Sequence, residues 1–117
     1  MAGYIGNQPP IAATIPDGLK LDLGTDITSS TSLDDSMFTG AKLFSVSAAA
    51  TLTVPAGLVG TEPATFHQTG ADDVTFAAGA GVTIQSLETK LSIAGQFGSA
   101  SLVPKGGDVY TLIGALK

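Results

Sequence analysis

The sequence contains no cysteine, no tryptophan and no arginine, and its only histidine is His67. Without cysteine the chain can form no disulfide bond, thiolate nucleophile or cysteine-ligated zinc site. Without arginine it lacks the side chain that makes bidentate phosphate contacts, so we expect no nucleic-acid partner. Its uninterrupted apolar runs are only a few residues long, whereas a membrane-spanning helix needs about 20, so we expect no membrane partner. The opening MAGYIGNQPP lacks a positively charged start before an apolar stretch, and we expect no signal peptide.

The composition predicts one small domain whose surface is partly covered by other subunits. The chain has 117 residues, of which 44% are hydrophobic and only 13% are charged, and its formal net charge is -5. A domain of this size buries roughly two-thirds of its unfolded surface. A positive mean hydropathy of +0.36 with so few charges is typical of a protein that packs against neighbours. The excess of acidic residues is expected to keep this rather apolar surface soluble.

Residues 1–40 are predicted to form an extended N-terminal arm with one short strand. The apolar residues near the start follow neither helical nor strand spacing, and two adjacent prolines favour an extended backbone. A disordered tail is the alternative, but disordered segments are usually poor in large apolar residues. We therefore expect an arm that becomes ordered on the surface of another protein. The expected contact residues are Tyr4, Ile5, Pro9, Pro10, Ile11 and Ile15.

Two local patterns follow within the arm. Leu19, Leu21 and Leu23 alternate with polar residues, which predicts a strand with one buried face. Ser32-Leu33-Asp34-Asp35 resembles a capping box, which can open a short helical turn. A plain turn fits these four residues equally well, so the sequence leaves both possibilities open.

Residues 41–117 are predicted to form an all-β domain, a β-sandwich or jelly-roll-like small barrel. Short runs alternate between apolar and polar residues and are interrupted by Gly, Pro or Asp-Asp. Phe66 and Gln68 are expected on one side of a strand, with His67 on the other. We expect tight hairpin turns at residues 70–73 and 78–81, a strand that stops at Pro104, and a turn at residues 106–108 that leads into the last strand.

The side chains that can carry chemistry do not form a recognisable catalytic or metal-binding motif. His67 has no second histidine at metal-ligand spacing, and general-base catalysis needs a positioned partner. The adjacent carboxylates Asp34-Asp35 and Asp72-Asp73 do not match a calcium-binding loop and are interpreted as turn residues. We therefore expect no enzymatic activity, no metal site and no cofactor.

Four segments resemble a β-rich module of virion proteins from tailed bacteriophages. They are TLTVPAGL, FHQTGADDVTFAAGAGVTI, AGQFGSASLVPKG and DVYTLIGAL, in that order, between Thr51 and Leu116. The opening MAGYIGNQPP is also similar to the starts of phage tail-associated and head-associated proteins. The resemblance implies an all-β virion component that assembles as a homotrimer. Because the module stands nearly alone behind a short arm, it resembles a small capsid decoration (cement) protein more closely than a long fibre.

The expected function is therefore structural. Trimers would sit on the exterior of a phage head where subunits of the major capsid protein meet, and their arms would lie across neighbouring coat subunits. The chain would be made in the host cytoplasm and reside in the virion. The alternative is a short tail-fibre or head-fibre component that binds host glycan, which predicts exposed aromatic residues or polar pockets away from the arm.

Overall fold

The computed structural model describes residues 22–117, and within them the chain is built from β-strands and two short 3-10 helices. The all-β prediction is confirmed. The 3-10 helices are η1 (Asp35–Phe38) and η2 (Leu87–Thr89). The strands are β1 (Thr31–Ser32), β2 (Leu43–Val46), β3 (Ala50–Val54), β4 (Ala64–Gln68), β5 (Val74–Ala78), β6 (Thr83–Ser86), β7 (Ser99–Gly106) and β8 (Val109–Gly114).

The strands form two sheets, and the chain passes back and forth between them. The smaller sheet has the order β1-β3-β5 and the larger has the order β2-β4-β7-β8-β6. From β3 to β5, each strand pairs in parallel with the strand two places earlier in the chain. Leu43 therefore lies beside Thr65, and Leu52 lies beside Phe76. This is solenoid-like stacking of successive coils, each a little over 20 residues long.

The stacking differs from the jelly-roll-like barrel predicted from the sequence, and the two predicted hairpins are wrong. Residues 70–73 carry the chain from β4 into the other sheet, and residues 78–81 carry it from β5 back again. The glycines in these segments allow successive coils to pack closely against each other. A Cβ on Gly70 would lie 2.6 Å from the Ser47 carbonyl oxygen, and one on Gly79 would lie 2.8 Å from that of Val54. Only glycine lets these corners approach the preceding coil so closely.

The predicted turn before the last strand is confirmed as a true hairpin. β7 and β8 pair in antiparallel fashion, and Gly106 lies opposite Val109. The two connecting residues, Gly107 and Asp108, have φ values of 62° and 61°, which is typical of a type I′ turn. The expected strand end at Pro104 is wrong, because β7 continues to Gly106. Proline has no backbone N–H to donate to a neighbouring strand, and the pairing of β7 with β8 shifts register between Pro104 and Gly106.

The core lies between the two sheets and is filled by the side chains that point inward from alternate positions along the strands. Phe66 is fully buried, and its ring centroid lies 5.4 Å from those of both Phe44 and Phe76. Tyr110 and Phe38 form a second aromatic pair, with centroids 5.4 Å apart. The predicted alternation in β4 is confirmed, because Phe66 and Gln68 are buried and His67 faces outward. The alternation of side chains along β4 therefore predicted correctly which of them face the core and which face outward.

Residues 22–40 take part in this core. Ile27, Leu33 and Phe38 are buried among the other core residues, although the predicted boundary between residues 40 and 41 assigns them to the arm. The helical turn left open by the sequence is present as η1, and Asp34 is its N-cap. Leu23 forms one bridge to Leu43 and is largely exposed, whereas Leu19 and Leu21 lie outside the described residues.

Candidate interaction surface

The residues expected to contact a coat protein lie outside the described part of the chain. This applies to the whole set predicted from the sequence: Tyr4, Ile5, Pro9, Pro10, Ile11 and Ile15. The contact role of the arm therefore stays a prediction. The described residues nevertheless contain a surface with the properties of an interaction site.

His67 stands on the outward side of β4, where its closest aromatic neighbour is Phe97. The two ring centroids lie 6.3 Å apart. Within residues 22–117 no group of three His, Cys, Asp or Glu side chains is placed to hold a metal ion. His67 therefore lies on the outward side of the sheet, next to the aromatic ring of Phe97.

The paired carboxylates are engaged in local structural contacts. Asp34 accepts a hydrogen bond from the Ser36 amide at 3.0 Å and caps η1. Asp35 Oδ1 accepts from the amides of Val59 at 2.7 Å and Gly60 at 3.0 Å, which holds the β3–β4 loop against η1. These contacts agree with the interpretation of Asp34-Asp35 as turn residues.

The second carboxylate pair lies between β4 and β5. Asp73 accepts from the Lys117 ammonium at 2.8 Å, and its backbone carbonyl accepts from the Ala50 amide. Both carboxylates of the pair are exposed. Asp73 therefore joins this corner to the C-terminal end of the chain and to the start of β3.

The outward side of the five-stranded sheet is called the outer face below. It carries no acidic residue between β2 and the paired part of β8, and it includes Lys105 of β7, whose ammonium donates to the Gln85 side chain at 2.8 Å. One row across the strands contains Leu43, Thr65, Ser101 and Ile113. A neighbouring row contains Ser45, His67 and Ser99, and a third contains Val103, Thr111 and Gln85. Thr65 and Ser101 join their hydroxyl groups at 2.7 Å. Apart from His67, Gln85 and Lys105, the outer face is therefore a continuous surface of apolar and hydroxyl side chains.

Three large apolar side chains project at the margins of the outer face. Phe97 is 68% exposed, Leu87 is 72% exposed and Ile113 is 53% exposed. Ile113 and Leu87 line a cavity of about 460 Å³ at the ends of β6 and β8, together with Ser86 and Leu116. Strand alternation places Ile113 opposite the buried Tyr110 and Leu112, but the sequence does not reveal this cluster, because its members lie far apart in the chain.

A second cavity, of about 510 Å³, lies on another side of the molecule. It is bounded by residues 58–61 and by the β7–β8 hairpin, and Tyr110, Lys105 and Asp108 are among its lining residues. Burial raises the pKa of the Tyr110 hydroxyl above its ordinary value of 10.0, and the charges of Asp108 and Asp35 raise it further. The hydroxyl therefore stays protonated and can act as a hydrogen-bond donor at neutral pH.

Comparisons with protein-family models, curated proteins and solved structures find no match for this chain. Among the described residues, no helix is both long and apolar enough to cross a bilayer.

Proposed function

We propose that this chain is a structural virion protein that decorates the exterior of a phage head as a homotrimer and stabilises the lattice of the major capsid protein. The observation that supports this proposal is the outer face, which combines mostly uncharged side chains with exposed Phe97, Leu87 and Ile113. Exposed apolar residues grouped on one face are typical of protein-protein contact sites. The resemblance to virion modules supplies the class of partner.

The mechanism follows from mass action. A protein that binds only the assembled lattice stabilises it by about 2.7 kcal/mol per site at a hundredfold excess over Kd. Many copies across many subunit boundaries add many such increments, which would oppose the outward pressure of packaged DNA. In this proposal the arm containing Tyr4, Ile5, Pro9, Pro10, Ile11 and Ile15 binds the coat, and the β body covers the junction between coat subunits.

The test is cosedimentation of the chain with undecorated heads assembled from the major capsid protein of the same genome. We expect the full chain to bind saturably, and we expect deletion of residues 2–16 to abolish binding. The deleted chain retains the whole core cluster found within residues 22–117, and we expect it to keep the circular dichroism and unfolding midpoint of the β body. Equal binding by the deleted chain would contradict the role of the arm, and a genome without a capsid gene would contradict the whole proposal.

The cavity beside Tyr110 favours glycan binding as a second candidate. The residues around its volume of about 510 Å³ include Tyr110, a hydroxyl donor, and Asp108, a carboxylate, and such groups suit the hydroxyl groups of a sugar. Screening the chain against immobilised host glycans tests it. Retention of one glycan class by the full chain, reduced in Tyr110→Phe, would support this function, and retention of none would exclude it.

A further inference from the structure

The side chain of Tyr110 is almost completely enclosed, yet its hydroxyl has no hydrogen-bond partner within residues 22–117. Only 2% of Tyr110 is exposed, and its ring packs against that of Phe38. Tyr110 also lines the cavity bounded by residues 58–61 and by the β7–β8 hairpin, called the Tyr110 cavity below. Enclosed polar groups almost always have a partner, because leaving one without a hydrogen bond costs free energy. The hydroxyl therefore points to a ligand group in this cavity.

The electrostatic potential in the Tyr110 cavity is negative. Burial raises the pKa of the Tyr110 hydroxyl, and the negative charges of Asp108 and Asp35 raise it further, so both carboxylates act on the space around the hydroxyl. Lys105 is the one lysine among the residues that line the cavity. Its ammonium donates to Gln85 at 2.8 Å, and Gln85 lies outside the cavity lining. The cavity therefore favours a positively charged ligand group and disfavours a carboxylate.

Asp108 lines the cavity and is held in place by two features of the backbone. It belongs to the turn of the β7–β8 hairpin, where its φ is 61°. Its Oδ1 atom accepts a hydrogen bond from the Gly57 amide at 2.9 Å, which ties the hairpin to the β3–β4 loop. Its other oxygen accepts no hydrogen bond from the described residues and keeps its capacity for a ligand donor. A charged acceptor that is fixed before binding reduces the entropy that binding must remove.

The two polar groups require different chemistry from a ligand. Asp108 accepts hydrogen bonds, whereas the protonated hydroxyl of Tyr110 has a donor without an acceptor. An ammonium group carries only donors, so a bare amine cannot satisfy the Tyr110 donor. A sugar that carries an ammonium group can satisfy both, because its hydroxyl groups also accept. The cavity volume of about 510 Å³ lies within the range of small-molecule sites, and Leu58 and Val109 add apolar contacts.

We infer that the Tyr110 cavity binds an amino sugar in its protonated form and selects it over neutral and acidic sugars. The ammonium group donates to Asp108, and a ring hydroxyl accepts from Tyr110. An acidic sugar would bring a second carboxylate close to Asp108, and the two like charges would repel each other. The inference rests on the second candidate function, glycan binding in this cavity, and does not depend on head decoration.

The test is a titration of the isotope-labelled full chain with methyl glycosides, followed through the amide chemical shifts in NMR spectra. The ligands are the amino sugar, the neutral sugar and the uronic acid of both the gluco and the galacto series. At slightly acidic pH, where the amine is protonated, an amino sugar should shift the amides of residues 57–61 and 106–110 saturably. Its Kd should be about fivefold lower than that of the neutral sugar, since a hydrogen bond between charged groups is the stronger one. The uronic acids should shift none of these amides.

Asp108→Asn separates the charge from the turn. Asparagine tolerates a positive φ and keeps an oxygen that can accept from Gly57, so the hairpin should remain. This variant should bring the Kd values of the amino sugar and the neutral sugar together. Tyr110→Phe should weaken the binding of both sugars and keep the circular dichroism of the parent. The matched control is Asp72→Asn, which removes an exposed carboxylate outside the cavity lining and should leave every Kd unchanged.

Butylamine tests whether negative charge alone accounts for binding. It carries an ammonium group without an acceptor, so it should bind more weakly than the amino sugar, and Tyr110→Phe should not affect its Kd. Butylamine binding as tightly as the amino sugar would overturn the inference.

The remaining outcomes separate the inference from the proposed functions. A neutral or acidic sugar that binds as tightly as the amino sugar would overturn the inference and leave glycan binding in place. Amide shifts with none of the sugars would remove both the inference and glycan binding, and would leave head decoration in place.

Discussion

Removal of the Asp35 carboxylate tests how the β3–β4 loop is held on the body. One oxygen of Asp35 accepts two backbone amide donors, from Val59 at 2.7 Å and Gly60 at 3.0 Å. The loop lies directly on the aromatic core, because a Cβ on Gly60 would lie 2.6 Å from the Phe38 Cβ. A hydrogen bond to a charged group contributes about 1.5–3 kcal/mol, but water can replace part of it at this exposed site. We therefore expect Asp35→Ala to lower the free energy of unfolding by about 2 kcal/mol in total.

The measurement is urea unfolding followed by circular dichroism, with thermal unfolding beside it. For a domain of this size the loss corresponds to a fall in Tm of roughly 10 °C. Asp35→Asn keeps an acceptor oxygen without the charge and should lose about half as much. Asp72→Ala is the matched control, since the Asp72 carboxylate accepts no hydrogen bond from the described residues, and it should stay within about 0.5 kcal/mol of the parent. If Asp35→Ala also stays within that range, or if Asp72→Ala costs as much, the loop is not held in the way described.

Two further predictions concern the core and the corners. The folded pKa of Tyr110 is raised, so the stability that depends on its protonated hydroxyl is complete below pH 10.0 and is lost as pH rises through the folded value. Tyr110→Phe should therefore reduce the alkaline loss of stability in urea titrations, and equal loss in both proteins would contradict the assignment. Gly70→Ala should cost about 2 kcal/mol, because the added methyl group would meet the Ser47 carbonyl at 2.6 Å. Gly95→Ala, where nothing lies within 4 Å, should cost little, and similar losses at both positions would count against stacking as the reason for Gly70.

The candidate surface was only partly predictable. Strand alternation, which is a local property, is enough to place Ile113 on the side of β8 opposite Tyr110 and Leu112. In the sequence Phe97 stands between Gly95 and Gly98, but its positive φ belongs to a turn fastened to Gln68, and this contact crosses nearly 30 residues. The cavity lined by Ser86, Leu87, Ile113 and Leu116 joins residues from β6, η2, β8 and the C-terminal end of the chain. No single segment of the sequence therefore encodes this cavity.

Local chemistry by itself determined the all-β class, the inward and outward faces of the strands, and the turn at residues 106–108. These features depend on side-chain alternation and on backbone preferences that act within a few residues. Only the tertiary structure decided which sheet each strand joins, because a glycine-rich reversal is equally compatible with a hairpin and with a corner between sheets. At Gly70 and Gly79 the close approach of the preceding coil favoured the corner. Strand pairing is a contact between distant residues, and the free energy that selects it comes from packing the two sheets around Phe44, Phe66 and Phe76.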